Sequence, residues 1–169
     1  MIVVSDTTPL ITLMKAEKLD ILHDMFGEVL IPEAVFSEVT GNETFKGEAD
    51  YFRKKDYIKV VTVQEKSQVA FLQRATGLDR GESEAIIYAD VAKADLLLMD
   101  EIAGRRVAQN MNLPITGSVG ILIQAFQSGM ITLQEADEAF EKIKSAKRHI
   151  SEKLISKALE IIHRSDNGK

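Results

Sequence analysis

The sequence predicts an α/β protein in which short parallel strands alternate with helices, and three observations carry that prediction. Apolar runs bounded by turn residues recur between stretches of helical periodicity, in the order that builds β-helix-β units. The run Asp95-Leu96-Leu97-Leu98-Met99-Asp100 is continuously apolar between two acids, as suits a parallel strand covered on both faces. Ahead of it, Asp79-Arg80-Gly81-Glu82 has the spacing of a capping box, which starts a helix near Arg80 that is apolar on most sides as far as Ala94.

Taken in order, Ile2-Val3-Val4-Ser5 reads as a first strand ending at Asp6. Thr8 is the expected N-cap of the next helix, with Pro9 at its favoured first position, so Asp6 falls two positions too early to cap it. A short helix around Leu19 to Phe26 precedes a second strand, Glu28 to Ile31, and Pro32 opens another helix. Projected at 100° per residue, Glu38 lies in the apolar stripe of that helix; it is either a site carboxylate or a partly exposed residue at a fraying end. Residues 42–57 read as a charged surface helix, whose Arg53-Lys54-Lys55 run is a solvated face or a contact to a phosphate backbone. Ile58 to Val63 gives a third strand near a sheet edge, and Glu65 to Thr76 a helix closed by Gly77.

After Asp100, residues 101–112 form a helix carrying Arg105 and Arg106, and Leu113 to Ile115 a minimal strand. Thr116 and Ser118 can cap the following apolar helix or help its N-terminus hold an anion. Residues 132–146 and 151–164 are amphipathic helices suited to packing and to an interface. The expected organisation is one domain over 1–165, with 132–165 as C-terminal packing helices and 166–169 as a frayed tail.

Composition narrows the function. The chain has 169 residues, 45% of them hydrophobic, enough for a substantial core. It has no cysteine, which excludes disulfides, thiol nucleophiles and cysteine-based metal sites. With no signal segment and no run near the roughly 18 apolar residues of a membrane helix, a soluble cytoplasmic protein is expected. The net charge of −5 opposes binding a polyanion, but neutralising four clustered carboxylates would bring it to about −1. His23, His149 and His163 are scattered, and no serine-nucleophile elbow, P-loop or dinucleotide fingerprint is present.

The remaining candidates are acids. Asp6 and Asp100 end strands, Glu38 follows one, and Glu84 sits in the helix beginning at Arg80. The capping box gives Glu82 a sufficient structural explanation, whereas Glu84 lies about 200° round the helix with none, so Glu84 is the preferred site residue. Such hard oxygen donors suit Mg²⁺ or Mn²⁺, and two such ions can hydrolyse a phosphodiester.

The stretches SDTTPLITL, IPEAVFSEV, DRGESEAIIYA, LLLMDEIAGRRVA and ITGSVGILI, in this order, resemble a PIN domain. More narrowly they resemble small microbial PIN-like proteins, classed as predicted nucleic-acid-binding and related to VapC-like toxin nucleases. The resemblance implies a three-layer α/β/α fold with a central, mostly parallel sheet and a Mg²⁺- or Mn²⁺-dependent ribonuclease site. Asp6, Glu38, Glu84 and Asp100 match the family acids, with Asp6, Glu84 and Asp100 as metal ligands. Thr7 and Ser118 match hydroxyl positions near the metal and Arg105 a basic one; with Thr116 they form the substrate-binding candidates. Glu101 and Ser118 stand where this group often has Asp and Thr. The expected partners are RNA, an antitoxin protein and a second copy of the chain, with no membrane. The rival reading is a non-catalytic nucleic-acid-binding or regulatory module.

Overall fold

A computed structural model describes residues 1–41, 46–146 and 150–168. Five strands, β1 (Val3–Ser5), β2 (Val29–Pro32), β3 (Ile58–Val61), β4 (Leu96–Leu98) and β5 (Ile115–Thr116), form one sheet in the order β3-β2-β1-β4-β5 with every pair parallel. The first helices are α1 (Thr7–Lys15), α2 (Ile21–Phe26), α3 (Glu33–Thr40), α4 (Lys46–Arg53) and α5 (Lys66–Thr76). They are followed by α6 (Arg80–Val91), α7 (Ile102–Asn110), α8 (Ser118–Gln127), α9 (Leu133–Ser145) and α10 (Glu152–Asn167).

The period of two along each strand sorts the core into layers. Val3, Val29, Ile31 and Leu98 point to one face and pack with residues of α1, α8, α9 and α10. Val4, Leu97 and Met99 point to the other and pack with Ala85, Ile86 and Ala89 of α6 and Ala108 of α7. The result is a parallel sheet between two helical layers, as expected for a PIN-like fold. The capping box at Asp79 is formed in both directions, and Gly77 closes α5 in the left-handed region at φ 76°. β3 lies at the sheet edge, as its sequence indicates.

Several boundaries differ from expectation. Asp6, not Thr8, occupies the N-cap position of α1, and Pro9 is the third helical residue, still within the first turn where a missing N–H breaks no helix bond. Gly117, not Thr116 or Ser118, is the N-cap of α8. The fifth strand falls on Ile115–Thr116 rather than 113–115, because Leu97 and Leu98 pair with those residues. The expected charged helix begins in residues 42–45, outside the described residues; its remainder, α4, buries Ala49 and Phe52 against α3. α10 includes Asp166 and Asn167, while Lys169 lies outside the described residues.

Because β1 has β2 on one side and β4 on the other, the strand order reverses at β1. The crevice beyond the carboxyl ends of β1 and β4 is where open α/β sheets bind ligands. Asp6 and Asp100 follow those two strands.

Candidate acidic active site

Asp6 is fixed by its strand: its backbone N–H donates to Leu98 O at 3.0 Å, continuing the β1–β4 pairing. Its side chain is 2% exposed, makes no capping bond to α1, and leaves Oδ1 with no partner. Burial raises its pKa well above the usual carboxylate range. The Thr7 N–H offsets this in part, but the carboxylates of Glu82, Asp79 and Glu38 push it further up.

Glu38 comes from α3, which follows β2. The Thr7 hydroxyl donates to its Oε2 at 2.6 Å, and its pKa is raised by burial and then, against that hydrogen bond, by Asp79 and Glu101. Thr8 makes the equivalent bond to Glu101 Oε1 at 3.0 Å. The first turn of α1 thus uses consecutive hydroxyls to hold two carboxylates beside Asp6.

Glu82 completes the group. Its Oε2 accepts the Asp79 N–H at 3.1 Å in the capping box, while Oε1 is buried without a partner. Burial first, then Asp79, Glu101 and Glu38, raise its pKa to about 7, against the Asp79 N–H that lowers it. Glu84 is not brought into this group. Its Oε1 accepts from Arg80 Nε at 2.7 Å and its Oε2 from the Ala34 N–H at 3.3 Å, on the opposite side of α6. Capping needs only one carboxylate oxygen, so the capping box does not remove Glu82 from the site. The sequence preference for Glu84 thus falls on a carboxylate engaged by Arg80 and Ala34 rather than on the one beside Asp6. Asp79, Glu82, Glu101 and Thr8 are the members of the group that sequence reasoning missed; three acids within four residues of Gly81 or Asp100 were the available signal.

Asp100 is engaged differently. It accepts the Ser118 N–H at 2.7 Å and the Ser118 hydroxyl at 2.8 Å, so it caps α8 from a distance. Burial raises its pKa, opposed by Ser118 and by Arg105, whose Nη1 donates to Met99 O at 2.8 Å. Asp100, Arg105 and Thr116 border a cleft of about 450 Å³ between α8 and the start of α10.

Glycines make room for these carboxylates. A Cβ at Gly81 would stand 2.5 Å from Glu38 Oε1, and one at Gly117 would stand 2.6 Å from Asp100 Oδ1. A Cβ at Gly104 would meet Met99 Sδ at 2.4 Å and Glu82 Oε1 at 3.1 Å. The histidines lie elsewhere: His23 stacks on Tyr57 and His163 pairs with Asp137, while His149 lies outside the described residues.

The donors are hard oxygens, two of them buried and unpartnered, and the pKa values of Asp6, Glu38 and Glu82 are raised first by burial and then by neighbouring carboxylates. That chemistry fits Mg²⁺ or Mn²⁺. Among the described residues, however, no three carboxylates or histidines stand in a ready-made metal-binding arrangement. The acids therefore fit a cation by donor type, and their side chains would have to turn to enclose it. No helix among the described residues is long and apolar enough to cross a membrane.

A family model described as a PIN domain matches residues 2–164. No curated protein matches the chain.

Proposed function

The chain belongs to the PIN-domain family, whose fold is nuclease-like, and we propose that it is a divalent-metal-dependent endoribonuclease using Asp6, Glu38, Glu82 and Asp100. The observation that carries this reading is the pair of buried, unpartnered oxygens, Asp6 Oδ1 and Glu82 Oε1, within a group of acids at the strand ends. Structural carboxylates are normally hydrogen-bonded, so an orphan pair facing like charges calls for a cation.

Asp6, Glu82 and Asp100 are the residues that would hold Mg²⁺ or Mn²⁺, with Glu38 alongside. A bound ion would supply an activated water and neutralise charge on the phosphodiester. The chain's own residues set the geometry. Thr7 and Thr8 orient Glu38 and Glu101, and Ser118 orients Asp100. Arg105 places a cation beside Asp100 at the cleft mouth, where a phosphate can meet it, and Thr116 lines the same cleft. Cleavage of RNA by purified protein in Mn²⁺, abolished by EDTA and by Asp6→Asn, tests the reading; cleavage unchanged by either would contradict it.

One observation favours a second reading, a nucleic-acid-binding or regulatory module without catalysis. Asp100 has both oxygens taken by Ser118, and the acids do not converge as they stand. RNA binding without metal-dependent cleavage would select it. A toxin role within a toxin–antitoxin pair extends the first reading and rests on the resemblance to VapC-like nucleases. Growth arrest on expression, relieved by Asp6→Asn, is its expected outcome.

A further inference from the structure

Glu84 is buried yet plays no part in the acid group, and its partner is an exposed cation. The Arg80 side chain is 68% exposed and that of Glu84 is 8% exposed, joined by a 2.7 Å bond from Nε to Oε1. Among the described residues the Nη groups of Arg80 meet no acceptor. The other Glu84 oxygen takes the Ala34 N–H in the first turn of α3, a helix whose N-cap position, Pro32, supplies no side-chain bond. One carboxylate thus ties the start of α3, the helix of Glu38, to the start of α6, the helix of Glu82.

The same pair borders a cleft of about 310 Å³ whose polar lining includes Lys66, Gln73 and Glu33. Glu33 accepts from the Thr62 hydroxyl at 2.9 Å, and Arg80 and Lys66 are the cations of the cleft able to meet an incoming anion, with the Gln73 amide as a neutral donor. Arg80 adjoins Asp79 and Gly81, the latter packed on Glu38. The cleft therefore shares the N-terminal end of α6 with the acid group but lies on the Glu84 side of that helix. Holding a guanidinium by one edge fixes its plane while leaving the outer edge available, which is the arrangement for bidentate phosphate recognition. An exposed ion pair stabilises a fold by little, but sinking a carboxylate to aim an arginine has a clear use in binding.

We propose that Arg80 binds a phosphate of the RNA strand as it leaves the acid group, and that Glu84 is the positioning residue that aims it. This deepens the ribonuclease reading by giving the site a substrate track across α5 and α6, and it rests on that reading for the identity of the polyanion.

The test is binding of a fluorescently labelled single-stranded RNA in EDTA, from 50 to 200 mM KCl, alongside cleavage in Mn²⁺. Arg80→Ala should weaken binding several-fold at low salt and reduce the slope of log K against log salt by about 0.7, the share of one single-strand phosphate contact. Arg80→Lys should keep most of the slope. Glu84→Ala should weaken binding in the wild-type background and add nothing in the Arg80→Ala background, since the two act as a unit. A wild-type slope in Arg80→Ala overturns the proposal. A Glu84→Ala defect that persists undiminished without Arg80 overturns the positioning role and makes Glu84 only a tie between α3 and α6. These results leave the ribonuclease reading intact if Mn²⁺-dependent cleavage persists. Wild-type protein that neither binds nor cleaves RNA overturns both, whereas binding without cleavage that still depends on Arg80 supports the track and removes only the catalytic reading.

Discussion

Glu82 and Glu84, two residues apart on one helix, present their carboxylates to opposite sides: Glu82 Oε1 is buried unpartnered beside the acids around Asp6, and Glu84 Oε1 is bound to Arg80 at 2.7 Å. The spacing of about 200° on a helix makes this separation unavoidable, so only one of them can belong to the acid group.

Glu82→Gln should therefore lower RNA cleavage by about a hundredfold or more, the scale of losing a group that compensates charge in the transition state. Glutamine still serves the capping box, so the folded state should survive. Glu84→Gln should act mainly through RNA affinity. Steady-state kinetics of the two variants, separating kcat from KM, check this; a kcat loss confined to Glu84→Gln would place the site on the other face of α6.

The acid group makes a pH prediction for the metal-free protein. The folded pKa of Glu82 is pushed up to about 7 from its ordinary 4.5, so the folded state holds more protons than the unfolded state between those values. Stability must then fall as pH rises through that window, and the loss is complete above about 7. Asp6, Glu38 and Asp100 are shifted in the same direction. The Glu82 contribution is on the order of 3 kcal/mol. Melting temperatures in EDTA from pH 4.5 to 8 should decline, and Glu82→Gln should flatten the decline. A flat wild-type profile would mean that the carboxylates are already compensated.

Gly81→Ala separates site geometry from stability. The added Cβ would lie 2.5 Å from Glu38 Oε1, the movable end of a side chain, so the carboxylate must shift. Alanine favours the helix by roughly 0.5–1 kcal/mol, which offsets the crowding. Cleavage should drop while the melting temperature stays close to wild type. Activity equal to wild type would show that the position of Glu38 is unimportant.

The sheet was legible because its signals are local. Leu96 to Leu98 is a continuous apolar run, Gly77 closes a helix, and the four residues from Asp79 to Glu82 cap another. The site was half legible, since Asp6 and Asp100 end strands and strand ends can be read from one segment. What escaped depends on contacts between distant segments. The Thr7 bond to Glu38 spans 31 residues, the Thr8 bond to Glu101 spans 93, and the Ser118 bond to Asp100 spans 18. The start of α1 differs from expectation because proline's preference for the first helical position points to Thr8, whereas the N-cap is Asp6, whose side chain makes no capping bond and lies near Glu82, Asp79 and Glu38. Glu82 is hidden in the sequence because the capping box satisfies one of its oxygens and says nothing of the other.

Thermal melting with and without Mn²⁺ tests directly whether the acids at the strand ends hold a cation. At a hundredfold excess over Kd, Mn²⁺ should stabilise wild type by about 2.7 kcal/mol, a rise of roughly 5 to 10 °C. Asp6→Asn, with one charge fewer in the group, should melt in EDTA at or above the wild-type temperature and lose most of the Mn²⁺ response, while Glu84→Gln should respond as wild type does. An Asp6→Asn protein that responds fully to Mn²⁺, or a wild type that does not respond at all, would contradict the account.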